Sequence, residues 1–133
     1  MEATRFQDIE LSEAWVEGDE SARWRSAEGV RGTDSGSSLL EVAADCRLPR
    51  HTDSAEETIV VVAGEAEVDV GGERARLTAG GAALVPREVP HEVRNAGDAP
   101  LRFVALYAAD RVITTYDAEV QPDGGHERQA VGP

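Results

Sequence analysis

Residues 49–64 read "PRHTDSAEETIVVVAG", a polar run that turns abruptly into β-branched chain. Side chains on extended backbone alternate between two faces. His51 and Asp53 therefore point to one side if the chain is extended there. Glu57 keeps their parity, Glu56 loses it, and Ile59 and Val61 continue the same face as apolar positions. This pattern places an imidazole and two carboxylates at the mouth of an apolar cavity. The run "TIVVV" is apolar on both faces, which predicts a central strand covered on both sides.

Outward from this stretch, Ser37 to Ala108 breaks into short β-type runs separated by turn residues at intervals of roughly eight to twelve, the spacing of a sandwich or barrel. The runs are "SSLLEVAA", "ETIVVVAG", "EAEVDV", "ERARLT", "AALVP", "HEVRNA" and "LRFVALYA", so about seven or eight strands are expected. A Gly-Gly turn in "VDVGGERA" joins two of them as a hairpin. Residues 1–36 read as an N-terminal arm that packs on the barrel or on a partner. Its two tryptophans, Trp15 and Trp24, must cover the outside of the barrel or a partner subunit, or else wall a ligand cavity. Residues 37–110 form the barrel. Residues 111–133 are a C-terminal extension ending in a tail with turn chemistry and no periodicity, expected to be loosely held.

At 133 residues the length suits one domain with its own core. The net charge of −13 repels nucleic-acid phosphates and anionic membranes, so neither is expected as a partner. The longest apolar run falls far short of the ~20 residues of a membrane helix. The first twenty residues lack a basic start and an apolar signal segment, which makes the cytoplasm the expected compartment. The single Cys46 has no partner for an internal disulfide and no lysine beside it, and reads as a structural thiol. Phosphate-loop, dinucleotide, nucleophile-elbow and cysteine-rich zinc patterns are all absent.

His91 begins a strand after the proline-bounded turn in "LVPREVPHEVRN". Two of the three histidines thus open strands on either side of one predicted hairpin, while His126 lies in the glycine-rich tail and reads as exposed. Imidazole and carboxylate are the ligand types for Zn²⁺, Fe²⁺, Mn²⁺ or Ni²⁺, and the lack of thiolates argues against a purely structural zinc.

With both stretches in view the sequence resembles the cupins, small β-barrels marked by two motifs. The first is glycine, five residues, His-x-His, three or four residues, Glu, six residues and Gly. His51, Glu57 and Gly64 match it with the spacing kept, Asp45 replaces the leading glycine, and Asp53 stands where the second histidine belongs. The second is Gly, five residues, Pro-x-Gly, two residues, His, three residues and Asn. Gly80, Pro86, His91 and Asn95 match it, and Glu88 replaces the middle glycine. The likeness covers residues 45–95 directly and about 36–108 by strand pattern.

The resemblance implies an all-β fold, a small antiparallel β-barrel or jelly-roll-like double-stranded β-helix. It also implies one divalent transition metal, Fe, Mn, Zn or Ni, held by His51, Glu57 and His91. A carboxylate at position 53 has three readings: a direct ligand, an acceptor that orients His51 or a water, or the mark of a lost metal site. Tyr107, late in the last core strand, is a candidate proton donor or else a core tyrosine. The expected function is that of a metal-dependent enzyme on a small organic molecule, of oxygenase, isomerase, lyase or cyclase type. The alternative is a non-catalytic barrel that binds or senses a small molecule and that Asp53, in place of a motif histidine, can leave without metal. Barrels of this family commonly pair, and the arm with Phe6, Trp15 and Trp24 offers an apolar surface, so a homodimer is expected.

Overall fold

Glycine, proline and aspartate turns cut the chain into twelve strands. In order these are β1 (Ser12–Val16), β2 (Asp19–Glu28), β3 (Gly36–Val42), β4 (Arg47–Asp53), β5 (Glu57–Ala63), β6 (Glu65–Val70), β7 (Glu73–Thr78), β8 (Ala82–Val85), β9 (His91–Asn95), β10 (Leu101–Tyr107), β11 (Val112–Tyr116) and β12 (Glu127–Val131). The structure is a computed structural model and describes residues 1–133. The helical content is one 3₁₀ turn, Phe6–Asp8, and no helix is long and apolar enough to cross a membrane.

One sheet runs β1-β2-β3-β10-β5-β8 and the other β7-β6-β9-β4-β11-β12. Pairing within each is antiparallel. A single parallel pair, Ala22 with Arg47, links β2 to β4 and brings the two sheets into a nearly closed barrel. Period-two burial fills the interior: Ile59 and Val61 from β5, Leu101, Phe103 and Ala105 from β10, Val93 from β9, and Ala66 and Val68 from β6 are all 0–1% exposed. Each large apolar side chain buried in this way contributes about 1.5–3 kcal/mol. The β6–β7 hairpin turns on Gly71 and Gly72, both at positive φ, as the two-residue turn requires. Gly64 is needed for a different reason. Its φ is +81°, and a Cβ there would lie 2.7 Å from the Pro100 carbonyl oxygen.

Eight strands, β3 to β10, fall within the segment expected to hold seven or eight. Three expectations change. First, the outer face of β5 is open: Val62 is 45% exposed, as are Leu84 and Leu106 on neighbouring strands at 59% and 47%. The outer face of the strand is covered only in part, with Thr58 and Val60 half-buried and Val62 exposed. Second, residues 12–28 are no separate arm. They form a hairpin whose second strand pairs with β3, which buries Trp24 in the core at 2% exposure. Trp15 stays half-buried with the Arg23 guanidinium over its ring, and Phe6 lies under Arg102. Third, the C-terminal segment is not loose. β11 pairs with β4 on one side and β12 on the other, and Val112, Val120 and Val131 are buried. Without β11 the second edge of β4 would present unpaired backbone groups. Cys46 is half-buried and unpaired.

Candidate functional site

Three strands of one sheet and the start of a strand in the other meet at one end of the barrel. His51 and His91 are register partners across β4 and β9, with ring centroids 4.1 Å apart. Asp53 ends β4 opposite Thr114 of β11. Glu57 opens β5 on the facing sheet, opposite Tyr107 of β10. All four side chains are buried, at 2–3% exposure, while Glu56 is exposed.

The backbone fixes both imidazoles. His51 donates Nδ1–H to the Pro49 carbonyl at 2.7 Å and His91 donates Nδ1–H to the Val89 carbonyl at 2.9 Å. Each ring therefore turns Nε2 inward, the arrangement that orients metal-binding histidines. His91 Nε2 lies 3.0 Å from Glu57 Oε1 and 3.1 Å from Asp53 Oδ2, and His51 Nε2 lies 3.7 Å from the same Asp53 oxygen. The other Asp53 oxygen accepts a hydrogen bond from Thr114 Oγ1 at 2.6 Å. Asp53 Oδ2, Glu57 Oε1 and His91 Nε2 are buried without a hydrogen-bond partner of acceptable geometry.

Buried polar atoms are normally satisfied, and three together without partners need a reason. Ligands that share one ion at about 2.0–2.2 Å stand roughly 3–3.5 Å apart. The two contacts of His91 Nε2 fall in that range, and His51 Nε2 stands slightly farther from Asp53 at 3.7 Å. The donor atoms of His51, Asp53 and His91 all lie within 4.8 Å of one another, and Glu57 joins them through His91. The buried His-Asp-His group can hold a metal ion.

Charge within the cluster is strongly coupled. Burial drives the His51 pKa down, helped by the charge of His91, to about 4. Burial raises Glu57, and the Asp53 charge adds to the rise, to about 7. Burial acts to lower His91, but Asp53 and Glu57 more than offset it and lift the imidazole to about 10. Asp53 is lowered despite its burial by contact with His91 and the field of His51. With no ion present, the two flanking acids favour the protonated form of His91, and burial favours the protonated form of Glu57.

A cavity of about 200 Å³ reaches the cluster through His51 and Glu57, with Trp24, Leu40, Leu48, Tyr107, Tyr116 and Arg128 among its lining residues. This is below the ~300–1,000 Å³ of drug-sized sites. Trp24 and Tyr116 stack with ring centroids 5.2 Å apart, and Tyr116 lies 5.1 Å from the His51 ring. Burial and the Glu57 charge raise the Tyr107 hydroxyl well above its usual range, so it stays protonated.

Residues 38–107 match the family model described as a cupin domain. The chain belongs to the cupin family. Among solved structures it is similar to a cupin domain of Schizosaccharomyces pombe, at 17% identity over 81% of this chain and 74% of that one, with a TM-score of 0.68. A Bacillus subtilis oxalate decarboxylase, described for its Mn(II) centers, shares 23% identity over 72% of this chain and 28% of its own, with a TM-score of 0.58. The DMSP lyase DddQ of Ruegeria pomeroyi shares 26% identity over 65% and 47%, with a TM-score of 0.60. No curated protein matches the sequence.

In this cupin the two sequence motifs converge on one point: His51, Asp53, Glu57 and His91 meet, and Tyr107 stands beside them. The Pro86–Val89 turn is tied to motif one by a hydrogen bond from the Glu88 N–H to the Asp53 carbonyl at 3.0 Å. His126 lies apart, exposed, with Nδ1 on the Tyr116 carbonyl. Sequence reasoning missed Thr114, Tyr116 and Arg128, which come from β11 and β12. The alternation of "VITTY", where Val112, Thr114 and Tyr116 are buried, was the available signal. Of the two readings of the tryptophans, the cavity wall holds for Trp24 and the outer cover for Trp15.

Proposed function

We propose that His51, Asp53, Glu57 and His91 hold one divalent transition metal and that this cupin is a metal-dependent enzyme acting on a small organic molecule admitted by the cavity. The observation that carries the reading is the convergence of three buried, unpartnered atoms, Asp53 Oδ2, Glu57 Oε1 and His91 Nε2, on one point. Asp53 is in this reading a ligand through Oδ2, with Thr114 fixing its other oxygen. A divalent ion bound there would polarise an oxygen of the substrate or acidify a bound water. The chain's own groups do the rest. His51 turns the Nε2 lone pair of a neutral ring toward the ion, Tyr107 offers a protonated hydroxyl beside Glu57, and Trp24 and Tyr116 form an aromatic wall for the substrate. Neighbours named for oxalate decarboxylation and DMSP cleavage support a reaction on a small molecule.

Metal analysis of protein purified without added metal tests the reading. About one equivalent is expected, and less than about a tenth, unrescued by Fe, Mn, Ni or Zn salts, would overturn it. A metal-free binding barrel is the second reading, favoured by the position of His91 Nε2, 3.0 Å from Glu57 and 3.1 Å from Asp53, where a charged imidazole would stand between the two acids without an ion. We also infer that a second copy covers the open face of β5, because Val62, Leu84 and Leu106 leave it apolar and exposed. A monomeric mass at micromolar concentration would overturn the pairing.

A further inference from the structure

All thirteen basic residues are arginines, and ten of them stand within 4.0 Å of a carboxylate. The three with no carboxylate oxygen within 4.0 Å are Arg87, Arg111 and Arg128. Arg87 and Arg111 are exposed, where water solvates them, but Arg128 is half-buried and lines the cavity. In a chain of net charge −13, with two acids for every base, a half-buried arginine at a cavity wall with no carboxylate within 4.0 Å stands out. Removing an ion from water is costly unless something answers its charge.

Its position gives it a direction. Arg128 is the register partner of Thr114 across β11 and β12, so the two share a sheet face, and Thr114 is the residue that holds Asp53. The guanidinium also acts on Tyr116, whose ionisation its charge eases against the opposing effect of burial. The acid at the same rim, Glu28, is turned elsewhere: it accepts the Gly132 N–H at 3.1 Å and faces Arg31 at 3.8 Å.

We propose that the ligand of this cavity is a small organic acid, its carboxylate held by Arg128 and its body lying along Tyr116 and Tyr107 toward His51 and Glu57. The inference rests on the reading of the cavity as the substrate site. A planar guanidinium presents paired N–H donors that match a carboxylate in two-point contact. A singly charged carboxylate suits the site better than a phosphate dianion, because Asp53 and Glu57 lie at the far end and repel each added negative charge. The small cavity volume favours a compact acid.

Calorimetric titration with acetate, propanoate, benzoate and succinate, each beside its neutral amide, tests the proposal on chelator-treated and on metal-loaded protein. At least one acid is expected to bind about tenfold or more tightly than its amide, and Arg128→Gln to reduce that acid to the level of the amide. Arg128→Lys, which keeps the charge without the planar fork, is expected to recover part of the loss. Near-UV circular dichroism of both variants verifies the fold. If Arg128→Gln does not fold, the acid-over-amide preference of the wild-type protein decides alone. The proposal is overturned if no acid binds below about 10 mM, if acids and amides bind alike, or if Arg128→Gln keeps the acid affinity. An affinity that follows the metal and ignores Arg128 also overturns it, whereas absence of metal with the preference intact overturns only the metal reading.

Discussion

Asn95 and the His51–Asp53–Glu57–His91 cluster are both buried and polar, and both lie on strands β4, β5 and β9 or their turns, at opposite ends of the barrel. At Asn95 every polar atom is answered. Nδ2 donates to the Val42 and Ala99 carbonyls, each at 2.9 Å, and Oδ1 accepts the Gly97 N–H at 2.9 Å. At the cluster three atoms have no such partner. A polar side chain that holds loops together is saturated by the chain itself, and one that awaits a ligand is left open. The difference separates the two motif residues by role: Asn95 clamps the turn into β10, and His91, four positions earlier on the same strand, serves the site.

His91→Ala should show the largest effect, on metal content. It removes a donor that touches both carboxylates, and binding should fall about 100-fold or more in a competition titration with a chelating dye. Retention of wild-type affinity would place the metal elsewhere. Asn95→Ala should do the opposite, costing about 2–4 kcal/mol in urea unfolding while the metal stoichiometry of the folded fraction stays unchanged. Two carbonyls and an N–H lose their partner in that variant. If Asn95→Ala strips the metal from folded protein, the separation of roles between the two ends is wrong.

Thr114→Val sharpens the comparison by making one further oxygen of the cluster resemble its neighbours. The shape is kept, but Asp53 Oδ1 loses its donor at 2% exposure. Metal affinity is expected to drop about tenfold because the carboxylate is no longer oriented, with a stability loss of about 1–2 kcal/mol. Unchanged affinity would mean that Asp53 is positioned by its strand alone.

What was legible in the sequence follows from how local each feature is. Strand parity is a property of consecutive residues within β4 and within β5, but the strand breaks at residues 54–56 and the chain crosses to the facing sheet. The burial of Glu57 and the exposure of Glu56 are therefore set by the start of β5 and not by parity with His51. The spacing around His91 is local too, and the structure places that residue opposite His51. Thr114, Tyr116 and Arg128 depend instead on β11 pairing with β4 and β12 with β11. The β4–β11 register joins segments some sixty residues apart and leaves no local pattern, and Arg128 reaches the site only because β11 is held there. The hairpin of β1 and β2 was hidden for a related reason. Only Ala22 and Trp24 of β2 are fully buried, so charged residues dominate its alternation and it reads as a polar arm. The two motif mismatches, Asp45 and Glu88, mark backbone positions, and only the structure reveals what the missing glycines did.

Asp45 and Glu88 are the only residues other than glycine at positive φ, +66° and +64°, and both stand where the cupin motifs carry glycine. The turns have kept the left-handed conformation and lost the residue that adopts it without strain. Asp45 sits in the turn closed by the Cys46 N–H on the Ala43 carbonyl, and Glu88 in the one whose N–H reaches Asp53. Neither side chain makes an ion pair or hydrogen bond that a glycine would forfeit. Aspartate tolerates this region better than glutamate because its short side chain can bond locally. Glu88→Gly is therefore expected to raise stability by about 0.5–1 kcal/mol, and Asp45→Gly by less, since glycine also loses more chain entropy on folding. Thermal unfolding should show the first shift as about 2–4 °C. A lower melting temperature for Glu88→Gly would mean that the glutamate side chain itself supports the turn against Asp53, and that this end of the barrel is held by more than backbone.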